Sequence, residues 1–150
     1  MTSVEERLQR LEDIHEITNL FMAYRRTLDE RDFTAYSELF APDGEWAGNL
    51  GSFKGPAAIK QMLDESAGTA FGIDPGEDFH LVANPDVHVD GDRATATSTW
   101  VFVTRTAEDR PQVSLMGHYT DVLARTPEGW RFVRREAFCD VPREHLGVKQ

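Results

Sequence analysis

The chain is short of cysteine, of long apolar runs and of positive charge, and each shortage removes a class of function. Cys139 is the one cysteine in 150 residues, so no disulfide can form within the chain and a reducing, intracellular setting is expected. No apolar run approaches the roughly 20 residues that cross a bilayer. The opening MTSVEERLQRLEDIHE carries acids where a secretion signal needs an apolar segment, so a cytoplasmic location is expected. Against 26 Asp and Glu stand 16 Lys and Arg, a net charge of −10. Nucleic acid and anionic membrane are therefore not expected as partners, because phosphate binding needs a basic face.

Several motifs are also missing. There is no HExxH, CxxC or HxH spacing, so no metal is expected. His80 and His88 stand about 26 Å apart on a straight strand, too far to share an ion. The glycines of GNLGSFKG (Gly48, Gly51, Gly55) match neither phosphate loop nor dinucleotide fingerprint, and no cofactor is expected. No GxSxG occurs, and Cys139 has no evident base beside it.

What is present is ordinary for one soluble domain spanning 1–150: 40% hydrophobic and 28% charged residues. The first segment has a helical stripe, Ile14, Ile17, Phe21, Tyr24 and Leu28, with Thr2 or Ser3 as cap. Asp29 falls about 80° from Phe21 on the wheel, at the flank of that stripe. Asp32 caps a second short helix, FTAYSELF, ending at Ala41-Pro42, and a turn at Asp43-Gly44 leads to a short strand at Glu45-Trp46. Pro56 opens a third helix, AAIKQMLDE. Residues 66–78 read as a loop rich in Gly, Asp and Pro.

Four strands follow in hairpin succession: Phe79–Val89, Arg93–Thr106, Gln112–Ala124 and Trp130–Phe138. The tail REHLGVKQ reads as loose. Helices first and strands after predict an α+β fold, a curved antiparallel sheet with helices on one face.

The chemistry turns on FHLVAN, where His80 interrupts a short apolar run. Three readings stand: a hydrogen-bonded core histidine, a metal ligand, or a base facing a pocket. A neutral imidazole is a good base near pH 7 when a carboxylate holds its other nitrogen. Asp29 is the candidate carboxylate, but only the fold can bring the two together. For residues of these types a satisfied core histidine and a helix-end aspartate are the default.

The stretches YRRTLDERDFTAYSELFAPDGEW, FKGPAAI, FHLVAN and GHYTDVLARTPEGWRFVRRE, in that order, resemble the SnoaL-like branch of the nuclear-transport-factor-2-like superfamily. The resemblance spans roughly Leu11 to Cys139. It implies a cone of three helices capping a strongly bent sheet around a deep apolar pocket. It also implies relatives such as scytalone dehydratase, hexachlorocyclohexane dehydrochlorinase, bile acid dehydratases, polyketide cyclases and ketosteroid isomerase.

By the same resemblance, Asp29 in LDERDF and His80 in FHLVAN take the places of a proton-abstracting pair. Arg135 in GWRFVRR takes the place of an arginine facing a leaving group. The pattern also departs from those relatives. Leu28 stands where scytalone dehydratase has a tyrosine, and Gly117 and Tyr119 stand roughly where it has a serine and an asparagine. Tyr24 stands where the dehydrochlorinase has a lysine. Neither of those two substrates carries over.

Tyr24 reads as core packing or as a hydroxyl offered to substrate. Trp46, Trp100 and Phe102 read as pocket wall or plain core, and Gly117 and Tyr119 as inward-facing. Alternation puts Arg131, Val133, Arg135, Ala137 and Cys139 on one face of the last strand, with Trp130, Phe132, Arg134 and Phe138 on the other. Arg135 is then either a pocket cation or a salt bridge at the rim. His118 is expected at an interface or the surface, and His15 as structural.

The functional expectation is a small cofactor-independent enzyme that removes a carbon-bound proton from an apolar cyclic substrate, as a lyase or isomerase. The alternative is a non-catalytic module of the same fold that binds a hydrophobic ligand or serves in assembly. A homodimer or homotrimer through the outer sheet face is expected from the resemblance.

Overall fold

The computed structural model describes residues 2–142; the tail REHLGVKQ and His145 lie outside the described residues. Helix α1, Val4–Asp29, starts at a capping box in which Ser3 accepts from the Glu6 amide and Glu6 accepts from the Ser3 amide. Its inner face buries Ile17, Phe21, Tyr24 and Leu28 of the predicted stripe, together with Leu20, while Ile14 at its outer end is half-buried. His15 is exposed and bonded to Asn19 on the outer side. No described helix is long and apolar enough to cross a membrane.

Helix α2, Phe33–Ser37, is capped by Asp32. It ends earlier than the sequence suggests, because the chain enters strand β1, Phe40–Gly48, already at Phe40. The predicted turn at Asp43-Gly44 is a bulge within β1, where the register against its neighbour shifts between Phe40 and Glu45. An added Cβ at Gly44 would lie 2.6 Å from the Phe132 carbonyl oxygen, so the close approach needs glycine. Strand β2, Gly51–Lys54, pairs back on β1 and is not foreseen from the sequence. Helix α3, Pro56–Ser66, opens on Pro56 as expected.

Strands β3, Asp78–Asp90, β4, Arg93–Arg105, β5, Pro111–Thr126, and β6, Gly129–Val141, form an antiparallel meander. The sheet order is β2-β1-β6-β5-β4-β3, with β1 and β6 as the parallel pair. The fold is α+β: helices packed on a six-stranded, mainly antiparallel sheet.

Bulges bend this sheet and correct the simple alternation. On β3, Asn84 and Pro85 together oppose one residue of β4, with Asn84 at φ +53°. Asp78, His80 and Val82 therefore face inward before the bulge, and Val87 and Val89 after it. His88, which shares parity with His80 in the sequence, is exposed on the opposite side. On β6, Val133 is the extra residue, since Phe132 pairs with Leu123 while Arg134 pairs with Val122. Trp130 and Phe132 are consequently buried on the same side as Arg135 and Cys139, not on the outer face.

Candidate active site

His80 enters from the start of β3, as its third residue, and Asp29 from the last turn of α1. His80 Nδ1 lies 2.7 Å from Asp29 Oδ1. The same carboxylate accepts the His80 backbone N–H at 3.2 and 3.3 Å, which fastens the edge strand to the helix. Arg25, one helical turn before Asp29, donates to Oδ2 at 3.1 Å and lies over the Phe79 ring. An ionised carboxylate only accepts hydrogen bonds, so a neutral His80 carries its proton on Nδ1 and a lone pair on Nε2. The Phe102 ring packs 4.6 Å from the imidazole. Nε2 has no protein partner among the described residues and is left to the cavity.

That cavity has a volume of about 130 Å³, comparable to apolar cavities of about 150 Å³ that hold a benzene ring. Trp46, Trp100, Phe102 and Phe71 form aromatic walls, with Leu28, Met62, Leu63 and Leu115 between them. Its mouth lies between the β1–β2 turn at Asn49 and Leu50 and the segment after α3 at Ala70, where lining residues are exposed.

Inside the mouth, the polar part of the lining is His80 together with a group of phenols. Tyr24, Tyr36 and Tyr119 all line the cavity, with ring centroids 4.7 Å apart for Tyr24–Tyr36 and 5.6 Å for Tyr24–Tyr119. The Tyr24 hydroxyl accepts from Trp46 Nε1 at 3.1 Å. Burial, with Tyr24 beside them, pushes the Tyr36 and Tyr119 phenols well above their ordinary pKa, so both remain donors. Cys139 also lines the cavity, and burial pushes its thiol up, which keeps it protonated and unreactive at neutral pH.

Arg135 is neither a pocket cation nor a rim ion pair. It is wholly buried and makes a paired contact with Asp121, at 2.7 and 2.8 Å. Its guanidinium is packed among the rings of Phe21, Tyr24, Tyr119 and Phe132, 4.2–4.7 Å from each centroid. Burial alone would lower its pKa, but the Asp121 carboxylate outweighs that and holds the cation. Arg135 therefore adjoins Tyr24 and Tyr119 but does not line the cavity. Gly117 packs under Trp100, whose ring an added Cβ would crowd at 2.8 Å. His118 faces outward, stacked on Phe138 and bonded to Asp140 at 2.7 Å.

Asp29, Asp78 and His80 bring three potential metal-ligating atoms within 4.8 Å of one another. Both carboxylates already carry charged or backbone donors. Asp29 is bonded to His80 and Arg25, and Asp78 to Arg31 and the Gly72 amide. Two guanidinium groups compensate two carboxylates, and a divalent cation would have to displace them.

Sequence reasoning missed Tyr36, Phe71 and Asn49 as lining residues. Tyr36 sits three residues after Phe33 on the inner face of α2, a spacing that marked it as buried. Phe71 lies in a loop with no periodicity to read.

The fold and the cavity are those of a conical α+β domain closed around a small apolar chamber with an imidazole in its wall. The chain belongs to the SnoaL-like domain family, whose pattern matches residues 9–136. It is similar to an uncharacterised protein of Mycobacterium tuberculosis, 35% identical over 139 residues that cover 90% of this chain and 88% of the other. Among solved structures it is similar to a nuclear-transport-factor-2-like protein with a cystatin-like fold from Novosphingobium aromaticivorans. That match has a TM-score of 0.81 at 32% identity and covers 100% of this chain and 99% of that one. It is also similar to a scytalone-dehydratase-like protein of the same organism, with a TM-score of 0.73 at 25% identity over 88% of this chain and 87% of that one.

Proposed function

We propose that this protein is a cofactor-independent lyase or isomerase in which His80, oriented by Asp29, removes a proton from an acidified carbon of an apolar, cyclic substrate. The observation that carries the reading is the 2.7 Å contact between His80 Nδ1 and Asp29 Oδ1 at the cavity wall. Nε2 takes the proton, and the resulting imidazolium is stabilised by the carboxylate. The electron pair left on carbon expels a leaving group from the neighbouring carbon, giving elimination, or the proton returns at another position, giving isomerisation. The Tyr24 hydroxyl donates to an oxygen of the substrate or to the departing group. The apolar walls exclude water and strengthen these few polar contacts.

The likeness to a scytalone-dehydratase-like protein supports an elimination. Screening by thermal shift against steroids, phenolic polyketides and halogenated rings supplies a substrate. On it, His80→Ala and Asp29→Asn should each lower kcat/KM by about 10²–10⁴. A loss below about tenfold contradicts the mechanism.

The second reading, a carrier of a hydrophobic ligand, draws on the aromatic walls, which would hold a guest without any base. Under that reading His80→Ala changes affinity and no turnover is found. We also propose that a second copy of the chain, as dimer or trimer, covers the outer sheet face, where Phe79, Leu81 and Met116 are exposed.

A further inference from the structure

We infer that Arg31 and Asp78 form a positioning pair that ties the wall of the cavity to the proton-abstracting pair, so that the base is ordered only when the wall is in place. This rests on the role proposed for His80.

Arg31 follows the α1 cap and sits at φ +62°, the left-handed residue that closes the helix, with its amide donating to the Leu28 carbonyl at 3.1 Å and the Asp32 amide to the Thr27 carbonyl at 2.9 Å. The side chain that this turn directs is nearly buried, at 8% exposure. Nη2 donates to Asp78 Oδ1 at 2.8 Å, Nε to the Gly72 carbonyl at 3.0 Å, and Nη1 to the Leu28 carbonyl at 3.0 Å. Asp78 Oδ2 in turn accepts the Gly72 amide at 2.6 Å. Both polar groups of one loop residue are therefore held by the two halves of one ion pair. A side chain at Gly72 would crowd Glu77, whose Cβ would lie 2.6 Å from an added Cβ.

Two structures hang on this pair. On one side is Phe71, adjacent to Gly72, which lines the cavity, stacks edge-on to Phe33 and lies 5.1 Å under the Arg31 guanidinium. On the other side are the base and its partner. Leu28, whose carbonyl Arg31 holds, precedes Asp29. Asp78 precedes His80 by two residues on the same face of β3, within 4.8 Å of both ligating groups. Loss of the ion pair frees the loop and, in the same step, the start of β3 that carries His80, while the backbone bonds that close α1 remain.

Amide hydrogen exchange in the free protein tests this. In Arg31→Met, the amides of Gly72 and His80 should both exchange at least about tenfold faster, while that of Leu123, in the β5–β6 pairing, is unchanged. The ring nitrogen shifts of His80 should pass from a single Nδ1–H form to a mixture of tautomers, a change that loosening of the loop alone would not produce. Acceleration at Gly72 alone, with the His80 signals unmoved, overturns the coupling. If Arg31→Met fails to fold, Arg31→Lys replaces it, because lysine keeps the charge near Asp78 but cannot bond Gly72 and Leu28 as well. The same pattern at smaller amplitude is then expected, and wild-type exchange at both amides overturns the inference. No substrate is involved, so failure here is separate from failure of the proton transfer, which His80→Ala reports.

Discussion

The carboxylate of Asp29 holds His80 twice, at the ring through Nδ1 at 2.7 Å and at the backbone through the amide at 3.2 and 3.3 Å. One side chain thus sets the tautomer of the imidazole and also anchors the open edge of the sheet to α1. The two tasks separate by mutation. Asn at position 29 still accepts a backbone N–H but carries no charge to stabilise an imidazolium. We expect Asp29→Asn to keep most of its stability while losing turnover. Asp29→Ala strands two His80 donors and Arg25, and should cost about 1–3 kcal/mol in urea unfolding. Equal stability of the two variants would contradict the double role.

The Tyr24 hydroxyl stands where the cavity is most polar, taking a hydrogen bond from Trp46 and facing two phenols that burial keeps protonated. Tyr24→Phe keeps the ring contacts and removes the hydroxyl. We expect about 1 kcal/mol of lost stability and about tenfold weaker binding of ring compounds that carry an oxygen, with rings lacking one little affected. Calorimetric titration of matched pairs such as cyclohexanone and methylenecyclohexane checks the difference.

Arg135 and Asp121 are a fully buried pair surrounded by aromatic rings. Removing one partner leaves the other charge without compensation in the core. Arg135→Met should therefore cost about 3–5 kcal/mol in denaturant unfolding, and the double variant Arg135→Met/Asp121→Leu should recover much of it. A double variant no more stable than the single one would show that the rings, and not the ion pair, need the guanidinium.

A pH dependence follows from Asp13, buried in α1 against β5 and β6. Burial alone would raise its pKa, but hydrogen bonds from Arg125, Trp130 and Gln9 outweigh that and hold it below the ordinary 3.8. A carboxyl depressed by folding stabilises the native state above its unfolded value and loses that contribution as pH falls through the folded one. The stability gap between wild type and Asp13→Asn should be full at neutral pH and narrow below about pH 4. Thermal unfolding between pH 7 and pH 3 measures it.

Where structure is dictated locally, the sequence could be read. A Thr2 or Ser3 cap and the stripe from Ile14 to Leu28 announce α1, and the Gly and Pro content of 66–78 announces a loop. Strict alternation fails wherever a strand takes an extra residue. Asn84-Pro85 turns His88 away from the His80 side, and Val133 turns Phe132 and Arg135 to the same side. Bulges follow from pairing across strands, which no single strand encodes. The junction of Asp29 with His80, like that of Arg31 with Asp78, joins residues with no local pattern between them. The first was proposed through likeness to a family, and the second emerged only from the folded chain.

Proton removal from carbon by His80 is the step on which the proposed reaction depends. Cyclic ketones incubated with the protein in heavy water and followed by proton NMR report that step without knowledge of the natural substrate. We expect deuterium to enter beside the carbonyl with wild type at a rate about 10²–10⁴ above that with His80→Ala. Equal rates with the two proteins, for a ketone shown by calorimetry to occupy the cavity, would contradict it.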